Sequence, residues 1–122
     1  MQTILLVDDS ESIRAQLAEI LSRGGYEVLT AADGKQAIRL LATRRMDMVV
    51  TDIFMPEADG LEVLIALKKM PVRPPVIAMS SKTGSMDMLR SAKMLGAKKI
   101  LRKPFPPDEL LQHVKAVLGA AV

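Results

Sequence analysis

The sequence predicts an α/β protein: a (βα)5 doubly wound fold in which helices cover both faces of a parallel five-stranded sheet. Two observations predict it. Five short apolar runs, at residues 4–7, 28–31, 48–51, 76–79 and 100–101, alternate with longer segments whose apolar residues recur at helical spacing. The runs are also apolar almost throughout rather than at every second residue, the pattern of strands buried on both faces of a parallel sheet.

Each unit has its own signals. The first strand leads into Asp8-Asp9, then into a helix carried by Ile13, Leu17, Ile20 and Leu21 and ended by Gly24-Gly25. Asp9 or Ser10 suits the cap of that helix. The second strand precedes Asp33 and Gln36, a capping-box pair opening a helix through Ile38 and Leu41. The third strand runs into Asp52, and its helix extends from Gly60 to Lys69, before Pro71. The fourth strand ends at Ser80-Ser81, and Met88, Ala92 and Leu95 carry a helix closed by Gly96. The fifth runs into Lys103-Pro104. The last helix opens at Pro106-Pro107 and places Asp108 and Glu109 at its positive end before Leu110, Val114, Val117 and Leu118.

A length of 122 residues predicts one domain spanning 1–122. The absence of cysteine excludes disulfides and thiolate metal sites. Neither a secretory signal nor a run of about 18 apolar residues is present, so a cytoplasmic protein without membrane insertion is expected. The net charge of +3 is unevenly spread: residues 1–81 carry −2 and residues 82–122 carry +5. With Tyr26, Phe54 and Phe105 as the only aromatics, no stacking platform is available and direct nucleic-acid binding is not expected. The basic stretch is either a solvated face or a docking surface for an acidic partner. The nine methionines, Met86, Met88 and Met94 among them, are either core filling or an adaptable contact surface.

In parallel sheets of this kind, ligands bind beyond the carboxyl ends of the strands, near the point where strand order reverses. Those ends carry Asp8-Asp9, Asp52, Ser80-Ser81 and Lys103. Three clustered carboxylates repel, at about 4 kcal/mol per pair at ~4 Å and an effective dielectric near 20. A hard divalent cation relieves that repulsion, and carboxylate oxygens suit Mg2+.

Val7-Asp8-Asp9, Asp52 with Met55-Pro56 and Asp59-Gly60 behind it, Ser80-Ser81 and Lys103-Pro104-Phe105 together resemble the receiver domains of response regulators, over essentially the whole chain. The resemblance implies the flavodoxin-like strand order 2-1-3-4-5 and a phosphorelay function. Asp52 would be the phosphoacceptor. Asp8, Asp9, Asp52 and the backbone carbonyl of Phe54 would hold Mg2+, or Mn2+ in its place. Lys103 would pair with phosphoryl oxygens, Ser80 would donate its hydroxyl to them, and the Lys103–Pro104 bond would be cis. The implied partners are a sensor histidine kinase or phosphotransfer protein and a downstream protein target on the helix 4–strand 5–helix 5 face. The domain would assist its own phosphorylation and dephosphorylation without being a classical enzyme.

Some positions depart from the family pattern. Ile100 stands where many receivers carry Tyr or Phe, so the switch is expected to lean on the backbone of residues 80–85, which include Gly84. Phe54 and Lys82 occupy positions that tune phosphoryl lifetime. A flavodoxin-like cofactor binder would need a phosphate-cradling loop where this chain has Asp8-Asp9-Ser10-Glu11. A phosphatase with its nucleophilic aspartate after strand one would separate its two acids by one residue, whereas these are adjacent. Within the family, Lys98-Lys99 favours a stand-alone messenger. The alternative is a receiver excised from a longer response regulator with a DNA-binding or enzymatic output domain.

Overall fold

The structure, a computed structural model, describes residues 1–53, 60–80 and 86–119, with the backbone alone at 60, 61 and 86–89. Five strands, β1 (Thr3–Val7), β2 (Glu27–Ala31), β3 (Met48–Asp52), β4 (Val76–Ser80) and β5 (Lys99–Arg102), alternate with five helices. These are α1 (Glu11–Arg23), α2 (Gly34–Thr43), α3 (Gly60–Lys68), α4 (Met86–Met94) and α5 (Pro107–Leu118). All strands pair in parallel in the order β2-β1-β3-β4-β5, as the resemblance implied. Leu5 of β1 lies level with Leu29 of β2 and Val49 of β3, which fixes the register at the centre.

The sheet separates two cores, and strand alternation assigns residues to them. Leu5, Val7, Val49 and Ala78 pack with Ala37, Leu41, Val63, Leu64 and Ala92 from α2, α3 and α4. Ile4, Leu6, Val50, Ile77 and Met79 face Leu17, Leu21, Leu110 and Val114 from α1 and α5. The central strands therefore need an apolar residue at nearly every position, and β1, β3 and β4 are buried throughout. The edge strands differ. Glu27, Thr30, Lys99 and Arg102 are exposed, and charged side chains on an edge discourage pairing with another sheet. Met46, Met48 and Met79 fill the cores, whereas Met94 is 81% exposed.

The caps resolve what spacing left open. Ser10, not Asp9, caps α1, its Oγ accepting from the Ile13 N–H at 3.4 Å. Asp33 caps α2 by accepting from the Gln36 N–H at 2.8 Å. Gln36 reaches back to the Ala32 N–H at 3.0 Å, one residue earlier than in a standard capping box. At the end of α1, the Gly25 N–H donates to Ser22 and the Tyr26 N–H to Leu21, a Schellman closure with Gly25 at φ +98°. Gly24, one residue earlier, lies where a Cβ would come within 2.6 Å of Leu111 Cδ1 on α5. Phe54, Met55-Pro56, Asp59, Ser81, Lys82 and Gly84 lie outside the described residues, so the expected movement of the 80–85 segment does too.

Gly25→Ala would put a Cβ on a left-handed residue that has open space around it, leaving backbone strain as the cost. Urea unfolding is expected to show a loss of about 1–2 kcal/mol with an unchanged m-value.

Candidate functional site

Strand order reverses between β1 and β3, and the charged residues gather at the carboxyl ends of those two strands. Asp8 follows β1, with its N–H donating to the Ala31 carbonyl of β2 at 3.2 Å. Its Oδ1 accepts from the Ser10 N–H at 2.9 Å, and Arg14 Nη1 donates to its carbonyl at 2.7 Å. These contacts fix the loop and leave Oδ2 directed at Lys103. Asp52 ends β3 opposite Met79 of β4. Lys103 follows β5, held by its own N–H donating to the Ser80 carbonyl at 2.7 Å. The Lys103–Pro104 bond is cis.

These anchors bring four side chains together. Lys103 Nζ donates to Asp8 Oδ2 at 2.6 Å and to Asp52 Oδ2 at 2.8 Å. Asp8, Asp9 and Asp52 each place a carboxylate oxygen within 4.8 Å of the others. Asp8 and Asp52 are buried, while Asp9 is exposed at the mouth. Among the described residues, three carboxylates face the one ammonium of Lys103. Oxygen donors at this spacing fit a hard divalent cation of matching charge. Ser80 ends the neighbouring strand β4. Its buried Oγ has no hydrogen-bond partner among the described residues, and such a group is costly unless an acceptor reaches it.

Burial works to lower the Lys103 pKa, but the hydrogen bonds to Asp52 and then Asp8 outweigh it, and the value is raised above 10.5. Lys103 therefore stays charged at neutral pH. A raised lysine contributes stability in full below its unfolded value and loses it as pH climbs through the folded one, so this contribution fades only at strongly alkaline pH.

All five described site residues expected from sequence, Asp8, Asp9, Asp52, Ser80 and Lys103, lie at adjacent strand ends. Phe54 lies outside the described residues. Lys103, expected from the sequence to pair with phosphoryl oxygens and to favour the charged form of Asp52, bridges Asp52 and also Asp8. Arg14 was missed. The available signal was a cation on the first turns of the helix that follows two adjacent acids. Beside the cluster, a crevice of about 190 Å³ runs between Ile13, Gln16 and Leu17 of α1 and Pro104, Phe105 and Pro107.

The response regulator receiver domain family matches residues 4–115, a span that holds every one of these residues. The chain belongs to that family. It is a receiver domain of two-component response regulators, a signalling domain rather than a classical enzyme. It is 38% identical to sporulation initiation phosphotransferase F of Bacillus subtilis, over 96% of this chain and 94% of that protein. It is also 38% identical to the alkaline phosphatase synthesis transcriptional regulatory protein PhoP of the same organism, over 94% of this chain but 48% of the relative. The chain thus spans about half the length of several curated relatives and nearly all of another. Among solved structures, the chemotaxis response regulator CheY4 of Vibrio cholerae superimposes with a TM-score of 0.87 at 34% identity, covering 96% of this chain and 98% of that one. Among the described residues, no helix of the receiver is long and apolar enough to cross a membrane.

The imbalance of charge sets opposite signs for two substitutions. In chelator, Asp9→Asn relieves repulsion without touching either Lys103 bond, and thermal unfolding is expected to show a higher Tm. Lys103→Met strips two buried acids of their counter-charge and is expected to cost about 3 kcal/mol.

Proposed function

We propose that Asp52 is the phosphoacceptor, taking a phosphoryl group from the phosphohistidine of a sensor histidine kinase or phosphotransfer protein. The observation that carries this reading is the juxtaposition at the ends of β3, β4 and β5. A buried carboxylate lies 2.8 Å from a charged lysine, and a buried hydroxyl without a hydrogen-bond partner among the described residues ends the strand between them.

An Asp52 carboxylate oxygen bonds to phosphorus as the P–N bond to the donor imidazole breaks, and the departing imidazole keeps the electron pair. Lys103 stays protonated and stabilises charge on the transferring oxygens, the main form of assistance in phosphoryl transfer. The Ser80 hydroxyl donates to a phosphoryl oxygen and so gains an acceptor that the described residues do not provide. Asp8, Asp9 and Asp52, joined by the carbonyl of Phe54 as the family resemblance implies, would hold Mg2+ or Mn2+. When bound, that cation supplies the positive charge that lets an anionic phosphodonor approach three acids. The same residues let the domain assist both its own phosphorylation and its own dephosphorylation. The crevice between α1 and Pro104-Phe105 gives the donor protein a surface next to Asp52.

On the output side, phosphorylation switches the α4–β5–α5 face for a protein target. Its edge strand exposes Lys99 and Arg102, and Met94 at the end of α4 is 81% exposed. The domain works in the cytoplasm, and Lys98-Lys99 supports its acting as a separate messenger. The half-length match to PhoP supports the second reading, a receiver from a longer regulator with a DNA-binding or enzymatic output domain.

With Mg2+ and acetyl phosphate, intact mass is expected to rise by one phosphoryl group, and Asp52→Asn to abolish the rise. Equal labelling of the Asn variant would assign the acceptor elsewhere. For the output face, the association rate with the target is expected to fall with added salt and in Lys98→Glu/Lys99→Glu, because exposed charges act over about 8 Å at physiological ionic strength. A rate indifferent to both changes would remove electrostatic docking from that face.

A further inference from the structure

The end of the sheet opposite Asp52 carries a groove of about 730 Å³ between the α2–β3 connection and the α3–β4 connection. Asp47 precedes β3 and Asp52 ends it, so roughly 16 Å of strand separates the groove from the acidic cluster. Buried Leu41 and Met46 form its floor with half-buried Met70, and Val72 at its edge is 81% exposed. Arg44, Arg45 and Arg73 stand around that apolar floor, all exposed.

The charge there is one-sided. Arg44 is paired with Glu27 at 2.6 Å, but Arg45 and Arg73 have no carboxylate partner among the described residues. Asp47 in the lining keeps its charge with its Oδ2 turned to the Thr3 N–H at 2.7 Å, so the three guanidinium groups outnumber the carboxylates of Glu27 and Asp47. Pro74-Pro75 line the same groove, and their fixed φ angles preform one wall, which lowers the ordering cost of binding.

We propose that this groove docks an acidic peptide segment of a partner protein, with an aliphatic side chain on the Leu41–Met46–Met70 floor and carboxylates on Arg45 and Arg73. The charge complementarity selects an anionic partner, and the concave apolar floor selects a polypeptide among anions. Nucleic acid would want a longer cationic track and stacking rings, and the lining contains no aromatic residue. A flat lipid surface would not reach buried Leu41 and Met46. Because the groove and Asp52 lie at opposite ends of β3, such a partner would leave the phosphoacceptor open to its donor. The proposal stands independently of the assignment of Asp52.

The test is a 15N amide-shift titration of the whole chain with acetyl-Glu-Asp-Leu-Leu-Asp-Glu-amide. Three comparison probes are the same peptide with both leucines replaced by serine, a random DNA duplex, and phosphatidylglycerol vesicles. Shifts are expected at residues 41–47 and 70–75, with affinity about tenfold weaker for Arg45→Glu/Arg73→Glu and for the serine peptide. Lys35→Glu/Lys115→Glu changes net charge equally at exposed positions outside the groove and is expected to leave affinity within about twofold. Any of three results would overturn the proposal: equal weakening by the two double variants, tighter binding to DNA or vesicles than to the leucine peptide, or shifts located elsewhere.

Discussion

One ammonium group holds the working end of this protein together. Lys103 Nζ lies 2.6 Å from Asp8 and 2.8 Å from Asp52, and so ties the ends of β1, β3 and β5, strands that are not all neighbours. Without it, two buried acids would face each other at the switch point of the sheet. The backbone is arranged around this contact: Asp8 is hydrogen-bonded to β2, Lys103 to Ser80, and the Asp8 carbonyl to Arg14. The compensation is incomplete, and that incompleteness leaves room for chemistry. A fully neutralised cluster would have no use for a cation.

The fold was legible because its burial pattern is extreme. In β1, β3 and β4 nearly every residue must be apolar to serve two cores, so continuous runs identify the buried strands directly. The edge strands were harder, since β5 has only Ile100 and Leu101 as its apolar centre between Lys99 and Arg102. Both helix-terminal glycine signals at α1 and α4 landed where positive φ angles require them, at Gly25 and Gly96.

The site was legible as a set of strand ends but not as a set of contacts. Spacing located Asp8, Asp9, Asp52, Ser80 and Lys103, because topology brings strand ends together whatever their side chains do. Which acid Lys103 would meet depends on side-chain direction and burial, and no sequence pattern encodes those. The same holds for Arg14, whose long side chain folds back onto a carbonyl six residues earlier. Between Asp9 and Ser10 as helix cap, spacing carried no preference. The choice fell to Ser10 because Asp9 lies at the mouth of the carboxylate cluster.

Strand parity has a mechanical consequence. Val50 and Met79 belong to the α1–α5 layer, so alternation puts Asp52 over that layer and Ser80, next after Met79, over the other one. The Asp52 carboxylate and the Ser80 hydroxyl are thus footed in different hemispheres of the molecule. Near β4 and β5 the hemisphere under Ser80 mixes Ala78, Ala92 and Ala97, which have no rotamers, with Val76, Leu95 and Ile100. The sheet acts as a partition, and the carboxylate and the hydroxyl draw their footing from separate cores.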